Sequence, residues 1–253
     1  MLGAIIGDIV GSRFEFDNTN KLNFQLFAFA CDFTDDTICT IAIADAIVNN
    51  KSYKDALLEW CNKYPTPMGS YGGSFARWIS SPNPQPYNSF GNGSAMRVSP
   101  IGWLFNTREE VLEQAKLSAE VTHNHPEGIK GAQAVALAVY LGRIGTSKDD
   151  ILAEMSEFYP TFVEPSLGMN KFDETCQGTL PVCLGIIQKA NSFEEAIRYA
   201  IAVGGDSDTI GAIVSTIAQA IWGIPTWMQN TALSFLTDDM IKVYEQVYYK
   251  LYG

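Results

Sequence analysis

Four carboxylates in two short blocks are the part of this sequence best suited to chemistry. Thr34-Asp35-Asp36-Thr37 lies near the start and Asp206-Ser207-Asp208-Thr209 near the end, each just ahead of an apolar segment with helical spacing. Carboxylate and hydroxyl oxygens gathered in one place make a hard site for divalent cations. Asp and Thr also cap helix N-termini, where a side-chain oxygen accepts an orphan backbone N–H and negative charge suits the helix dipole. A cap needs one acid, and each block supplies two. Crowding like charges costs energy unless a cation neutralises them, so the doubled blocks favour a metal.

A second candidate is the loop Ser89-Phe90-Gly91-Asn92-Gly93-Ser94-Ala95-Met96-Arg97. Its glycines let backbone N–H groups approach an anion, and a helix starting beyond them adds its positive end. It matches neither G-x-G-x-x-G nor a Walker loop, and an ordinary turn explains it equally well. Ser70-Tyr71-Gly72-Gly73-Ser74 offers another close-approach surface, with Tyr71 free to stack, or is a plain flexible loop. His123 and His125 stand just before Pro126, where capping the following helix is the simpler role; no Cys or third His completes a soft-metal set. Glu15 follows Gly11-Ser-Arg-Phe in an apolar setting. It is either a surface-loop residue or a catalytic base or mobile metal ligand.

The elements that must position these residues are helices. Ser52/Asp55, Thr107/Glu110, Ser147/Asp150 and Ser192/Glu195 have the capping-box spacing and open amphipathic segments. Pro126 opens a helix over Glu127 to Arg143, which joins Ile38 to Val48 and Ile210 to Trp222 as a candidate for the buried centre. Ile241 to Leu251 suits a terminal helix docking by one face. Only Leu22 to Leu26 alternates like a strand, and five residues make no sheet alone. Tyr64 to Gly93 and Pro160 to Glu174 read as long irregular loops. Gly3-Ala-Ile-Ile and Gly211-Ala-Ile-Val repeat a small motif that points to tight helix packing.

With 253 residues and no compositional break, one domain spanning 1–253 is expected. A formal charge of -11 argues against binding a nucleic-acid backbone or an anionic membrane, though a small anionic ligand is compatible with it. The five cysteines are odd in number and include no C-x-x-C, so they read as reduced core residues. Met1 to Asp8 is apolar but lacks a basic flank, which makes it a poor signal peptide, and no apolar run is long enough to span a membrane. A cytoplasmic protein, with a monomer favoured, is the simplest expectation.

Taken together, five blocks resemble the ADP-ribosylglycohydrolase family. They are Gly3-Ala-Ile-Ile-Gly-Asp8 leading to Glu15, Phe33 to Thr37, Phe90 to Arg97, Thr122-His-Asn-His-Pro126, and Gly204 to Gly211 running into Gly223-Ile-Pro225. The resemblance implies an all-α orthogonal bundle with a binuclear Mg²⁺ or Mn²⁺ centre in a cleft. It implies Thr34, Asp35, Asp36, Asp206, Asp208 and Thr209 as metal ligands and Glu15 as a loop carboxylate reaching the centre, with Glu15 or Asp36 as catalytic base. Gly91, Asn92, Gly93, Ser94, Met96 and Arg97 would receive ADP-ribose, with Tyr71, Gly72 and His125 lining the same cleft. The expected reaction is hydrolysis of the glycosidic bond between ADP-ribose and an acceptor, and the alternative is a non-catalytic ADP-ribose binder on the same scaffold. Two departures stand out: Ser207 occupies a position often held by Thr in the family, and the chain is short for it. Other metal-dependent helical enzymes fit less well, since Asp35-Asp36-Thr37-Ile38-Cys39 lacks the last Asp of D-D-x-x-D and neither His is followed by Asp.

Overall fold

Helices form where caps and apolar spacing coincide. The structure is a computed structural model describing residues 1–253. Its first half holds α1 Leu2–Ser12, α2 Asp35–Val48, α3 Tyr53–Lys63, α4 Gly73–Ile79, α5 Gly93–Met96, α6 Ser99–Leu104 and α7 Arg108–Glu120. The second half holds α8 Pro126–Arg143, α9 Lys148–Phe158, α10 Cys176–Lys189, α11 Phe193–Val203, α12 Ser207–Trp222, α13 Thr226–Leu233 and α14 Asp238–Tyr252. The fold is all-α, with only two isolated bridges, Thr34 to Met68 and Gly91 to Thr175. Ser52, Thr107, Ser147 and Ser192 each accept the backbone N–H three residues on, as their spacing predicts.

The pair α1 and α12 forms the centre, and glycine makes their approach possible. Gly3, Gly7 and Gly11 recur every fourth residue on one face of α1. A Cβ on Gly7 would lie 2.0 Å from the Gly211 carbonyl oxygen, and one on Gly11 would lie 2.5 Å from the Asp208 Cα. Gly3 meets Ser215 in the same way, so the two helices run antiparallel with their backbones in contact. The C-terminal end of α1 therefore abuts the N-terminal end of α12, where the second acidic block sits. Every residue of α1 is buried.

The Gly3-Ala-Ile-Ile segment lies in the central helix α1, with the tight helix packing that its small motif predicts. Two expectations change. Residues 22–26 form no strand: Phe24 packs edge-on against Phe14 at 5.2 Å, and the Leu22 and Phe24 carbonyls accept from Arg198 Nη1 at 2.9 Å each, so a guanidinium supplies donors that a neighbouring strand would give. The 64–93 region contains α4, whose Phe75 and Trp78 are buried one helical turn apart. No helix is long and apolar enough to cross a membrane.

Candidate functional site

Asp8 brings the first acidic block to the α1–α12 junction. Its carboxylate, fully buried, accepts from the Thr34 and Thr37 backbone N–H groups at 3.0 Å each and from the Thr34 hydroxyl at 2.7 Å. Thr34 in turn caps α2, its Oγ1 accepting the Asp36 N–H at 3.2 Å. The start of α2 is thereby fastened to α1, with Asp35 and Asp36 on its first turn. On the other side, Thr209 donates to Asp36 Oδ2 at 3.2 Å and links α12 to α2.

Glu15 reaches the same place from the loop after α1. Asn18 anchors that loop, donating to the Gly205 carbonyl at 3.0 Å and accepting the Gly205 N–H at 2.9 Å. Opposite Glu15 stands Gly69, with φ of +77°; a Cβ there would lie 2.6 Å from Glu15 Oε2. Only glycine permits both that backbone conformation and that approach. Carboxylate oxygens of Glu15, Asp206 and Asp208 lie within 4.8 Å of one another.

The glycine-rich loop forms the facing wall. Asn92 N–H donates to the Glu174 carbonyl at 2.7 Å and Cys176 N–H to the Phe90 carbonyl at 2.9 Å, tying the loop to the start of α10. Asn92 Nδ2 donates to Asp206 Oδ2 at 2.7 Å and so joins this wall to the acids. Between the walls is a cleft of about 370 Å³. Glu15, Asp35, Asp36, Tyr71, Gly72, Gly91, Asn92, Gly93, Met96, Arg97, Asp206, Asp208 and Thr209 all line it.

Thr34, Ser94 and His125 do not reach the cleft surface. Thr34 faces Asp8, Ser94 donates to the Gly128 carbonyl at 2.7 Å, and His125 caps α8, its Nδ1 accepting the Glu127 N–H at 3.1 Å. The histidine in the cleft is His123, joined there by Phe16, Phe172 and Glu174. Sequence alone does not choose between two histidines with a single residue between them. The regular helix beginning at Pro126 does, because its cap consumes His125.

The electrostatics demand positive charge. Burial, then repulsion from Asp206, Asp8 and Glu174, raises the Glu15 carboxyl to about 7. Burial, then the charges of neighbouring acids, pushes Asp35, Asp36 and Asp208 well above the usual carboxylate range. Asp206 is raised by burial against the opposing hydrogen bond from Asn92. Asp36 Oδ1 and Asp208 Oδ1 are buried with no hydrogen-bond partner. Orphaned carboxylate oxygens among so many buried acids fit an oxygen-liganded divalent cation.

An all-α scaffold with a glycine-walled cleft and a cluster of buried carboxylates offers a donor set for a hard cation rather than for a soft metal. The chain belongs to the ADP-ribosylglycohydrolase family, whose model matches residues 1–251, and the family is metal-dependent. It is 26% identical to the ADP-ribosylhydrolase ARH3 of Danio rerio, over 88% of this chain and 82% of the relative. It is 25% identical to the ADP-ribosylarginine hydrolase Tri1 of Pseudomonas putida, over 92% of this chain and 73% of the relative. The fold is also that of a solved ADP-ribosylglycohydrolase-related protein complex, with a TM-score of 0.75 and 21% identity over 98% of this chain and 95% of that one. Family and relatives make this chain a hydrolase.

Proposed function

We propose that the cleft hydrolyses the glycosidic bond linking ADP-ribose to an acceptor, in a single domain spanning residues 1–253 of a cytoplasmic monomer. The observation that carries this reading is the convergence of Glu15, Asp206 and Asp208 opposite the Gly91 to Arg97 loop. The names of the relatives, an ADP-ribosylhydrolase and an ADP-ribosylarginine hydrolase, support the same substrate class. Five free, buried cysteines are compatible with a reducing compartment.

Asp35, Asp36, Asp206, Asp208 and Thr209 would hold two divalent cations, Mg²⁺ or Mn²⁺, with Glu15 reaching them from its loop and Thr34, engaged by Asp8, fixing the start of α2 beneath them. When bound, the cations supply positive charge that orients ribose hydroxyls and polarises the reacting oxygens. Cleavage at an anomeric carbon passes through an oxocarbenium-like state, which needs a carboxylate to take a proton from the attacking water. Glu15 is suited to that role because it is only half-buried and reaches the cleft from a loop rather than from a helix. Asp36 is the competing base. The loop from Gly91 to Arg97, with its backbone N–H groups and the α5 turn, would bind the diphosphate and distal ribose, and Tyr71 and Gly72 would close the adjoining side.

The test is release of ADP-ribose from arginine, serine and nucleobase adducts. Excess chelator should abolish turnover, and Mg²⁺ or Mn²⁺ should restore it; full activity in chelator sinks the metal assignment. Binding of ADP-ribose with no turnover of any adduct would make the cleft a recognition site instead. Glu15→Gln and Asp36→Asn separate the two candidate bases. If Glu15 is the base, Glu15→Gln lowers kcat by about 100-fold or more while most of the stabilisation from Mg²⁺ remains, whereas Asp36→Asn loses that stabilisation; full kcat in Glu15→Gln leaves Asp36 as the base.

A further inference from the structure

His123 presents its Nε2 to the cleft, and the way its other nitrogen is held fixes which nitrogen carries the proton. A Cβ built on Gly93 or Gly91 would lie 3.3 or 3.5 Å from Nε2, so this atom sits against the glycine-rich wall, and no protein group bonds to it. Nδ1 is 2.7 Å from the Thr122 hydroxyl. That hydroxyl also accepts from Arg97 Nη2 at 2.8 Å. Thr122 is fully buried and makes no other hydrogen bond through its side chain.

A hydroxyl has one proton to donate, and leaving it unused in the interior costs about 1–3 kcal/mol. A guanidinium only donates. With Arg97 donating to Thr122, the one acceptor left for the Thr122 proton is His123 Nδ1. An imidazole nitrogen that accepts carries no proton, so the ring proton lies on Nε2.

We propose that Arg97 and Thr122 are positioning residues that lock His123 as the Nε2–H tautomer, a neutral hydrogen-bond donor aimed at an acceptor oxygen of the cleft's ligand. The guanidinium is suited to this task. It is 1% exposed and has no carboxylate partner; besides Thr122 it donates to the Ser118 carbonyl at 3.1 Å, where α7 is ending. Burial, then the Arg97 charge, holds the imidazole well below the ordinary histidine range, so the ring stays neutral while donating. Because a charge-assisted bond from Arg97 enters at one end of the relay, the Thr122 rotor cannot reverse without breaking it.

The affinity part of the test rests on the functional reading above; the tautomer part does not. The chain has two histidines, so ¹⁵N-histidine-labelled protein gives a spectrum simple enough to assign by subtraction with His123→Gln. Two-bond ¹H–¹⁵N correlations should show wild-type His123 protonated at Nε2. Thr122→Ser, which keeps the hydroxyl, should preserve both that signature and the Kd for ADP-ribose. Thr122→Val should lose the single tautomer and raise the Kd about tenfold, the value of one good hydrogen bond to a polar ligand. An Nδ1-protonated His123 in the wild type overturns the relay, and that spectrum needs no variant to fold. A folded Thr122→Val with unchanged tautomer also overturns it. If the wild type shows the Nε2–H ring yet fails to bind ADP-ribose, the relay stands and the functional reading falls.

Discussion

Asp36 and Asp208 each bury a carboxylate oxygen without a partner, a condition a protein keeps only for a reason. Both are raised well above the usual carboxylate range by burial and by each other's neighbours. In metal-free protein, Asp208→Asn removes one of several mutually repelling charges and should raise stability by on the order of 1 kcal/mol, about 2–4 °C in Tm. The same variant should lose most of the Tm gain that Mg²⁺ gives the wild type. A helix cap predicts the opposite pattern, a drop of about 1 kcal/mol with the Mg²⁺ response intact. The acids were legible in sequence because doubling exceeds what a cap needs. Asp8 was not, since a lone acid in an apolar run gives no hint that it accepts three bonds from the start of another helix.

Between elements, the decisive contact is backbone against backbone. Gly7→Ala puts a methyl 2.0 Å from the Gly211 oxygen, and neither central helix can withdraw without dragging an acidic block with it. Overpacking at such a site costs about 3 kcal/mol or more, and activity should fall along with stability. A Gly7→Ala protein with unchanged denaturant midpoint would falsify the close-packed α1–α12 core. A second brace is Asp45 on α2, which accepts from Trp60 Nε1 of α3 at 2.8 Å, from Lys51 at 2.9 Å and from Asn49 at 2.6 Å. Burial pushes its carboxyl up, but these bonds and the Lys51 charge outweigh burial and hold it below the ordinary range. Asp45→Ala leaves the Trp60 N–H buried and unpaired and should cost about 1–3 kcal/mol by urea titration. Capped amphipathic helices were readable from Ser and Thr spacing. The short helices α4, α5, α6 and α13 were not, because six or so residues hold too few turns for a periodic signal, and α1 showed only through its Gly3-Ala-Ile-Ile motif because burial on all sides erases the polar face.

Across the whole molecule the acids set how stability depends on pH. Six carboxyls in or beside the cleft, Asp8, Glu15, Asp35, Asp36, Asp206 and Asp208, are all raised, Asp8 to about 6 and Glu15 to about 7. The folded state therefore holds protons that the unfolded chain has already released at the ordinary values of 3.8 for Asp and 4.5 for Glu. Stability rises with pH only where the unfolded state binds more protons, so here it must fall from pH near 4 to beyond 7. His123 and the buried Met1 amine, both lowered, act in the opposite sense, two groups against six. Asp45, Asp173 and Asp239 are lowered and lose their contribution only in stronger acid. A cation that binds the folded state alone adds about 2.7 kcal/mol at one hundred times its Kd. Protons compete with it for the same oxygens, so the addition grows as pH rises. Thermal melts in chelator should thus show Tm falling between pH 5 and 8, and saturating Mg²⁺ should flatten or reverse that fall. Parallel curves with and without Mg²⁺ would separate the acidic cluster from cation binding, because groups that share ligands with a metal cannot titrate independently of it.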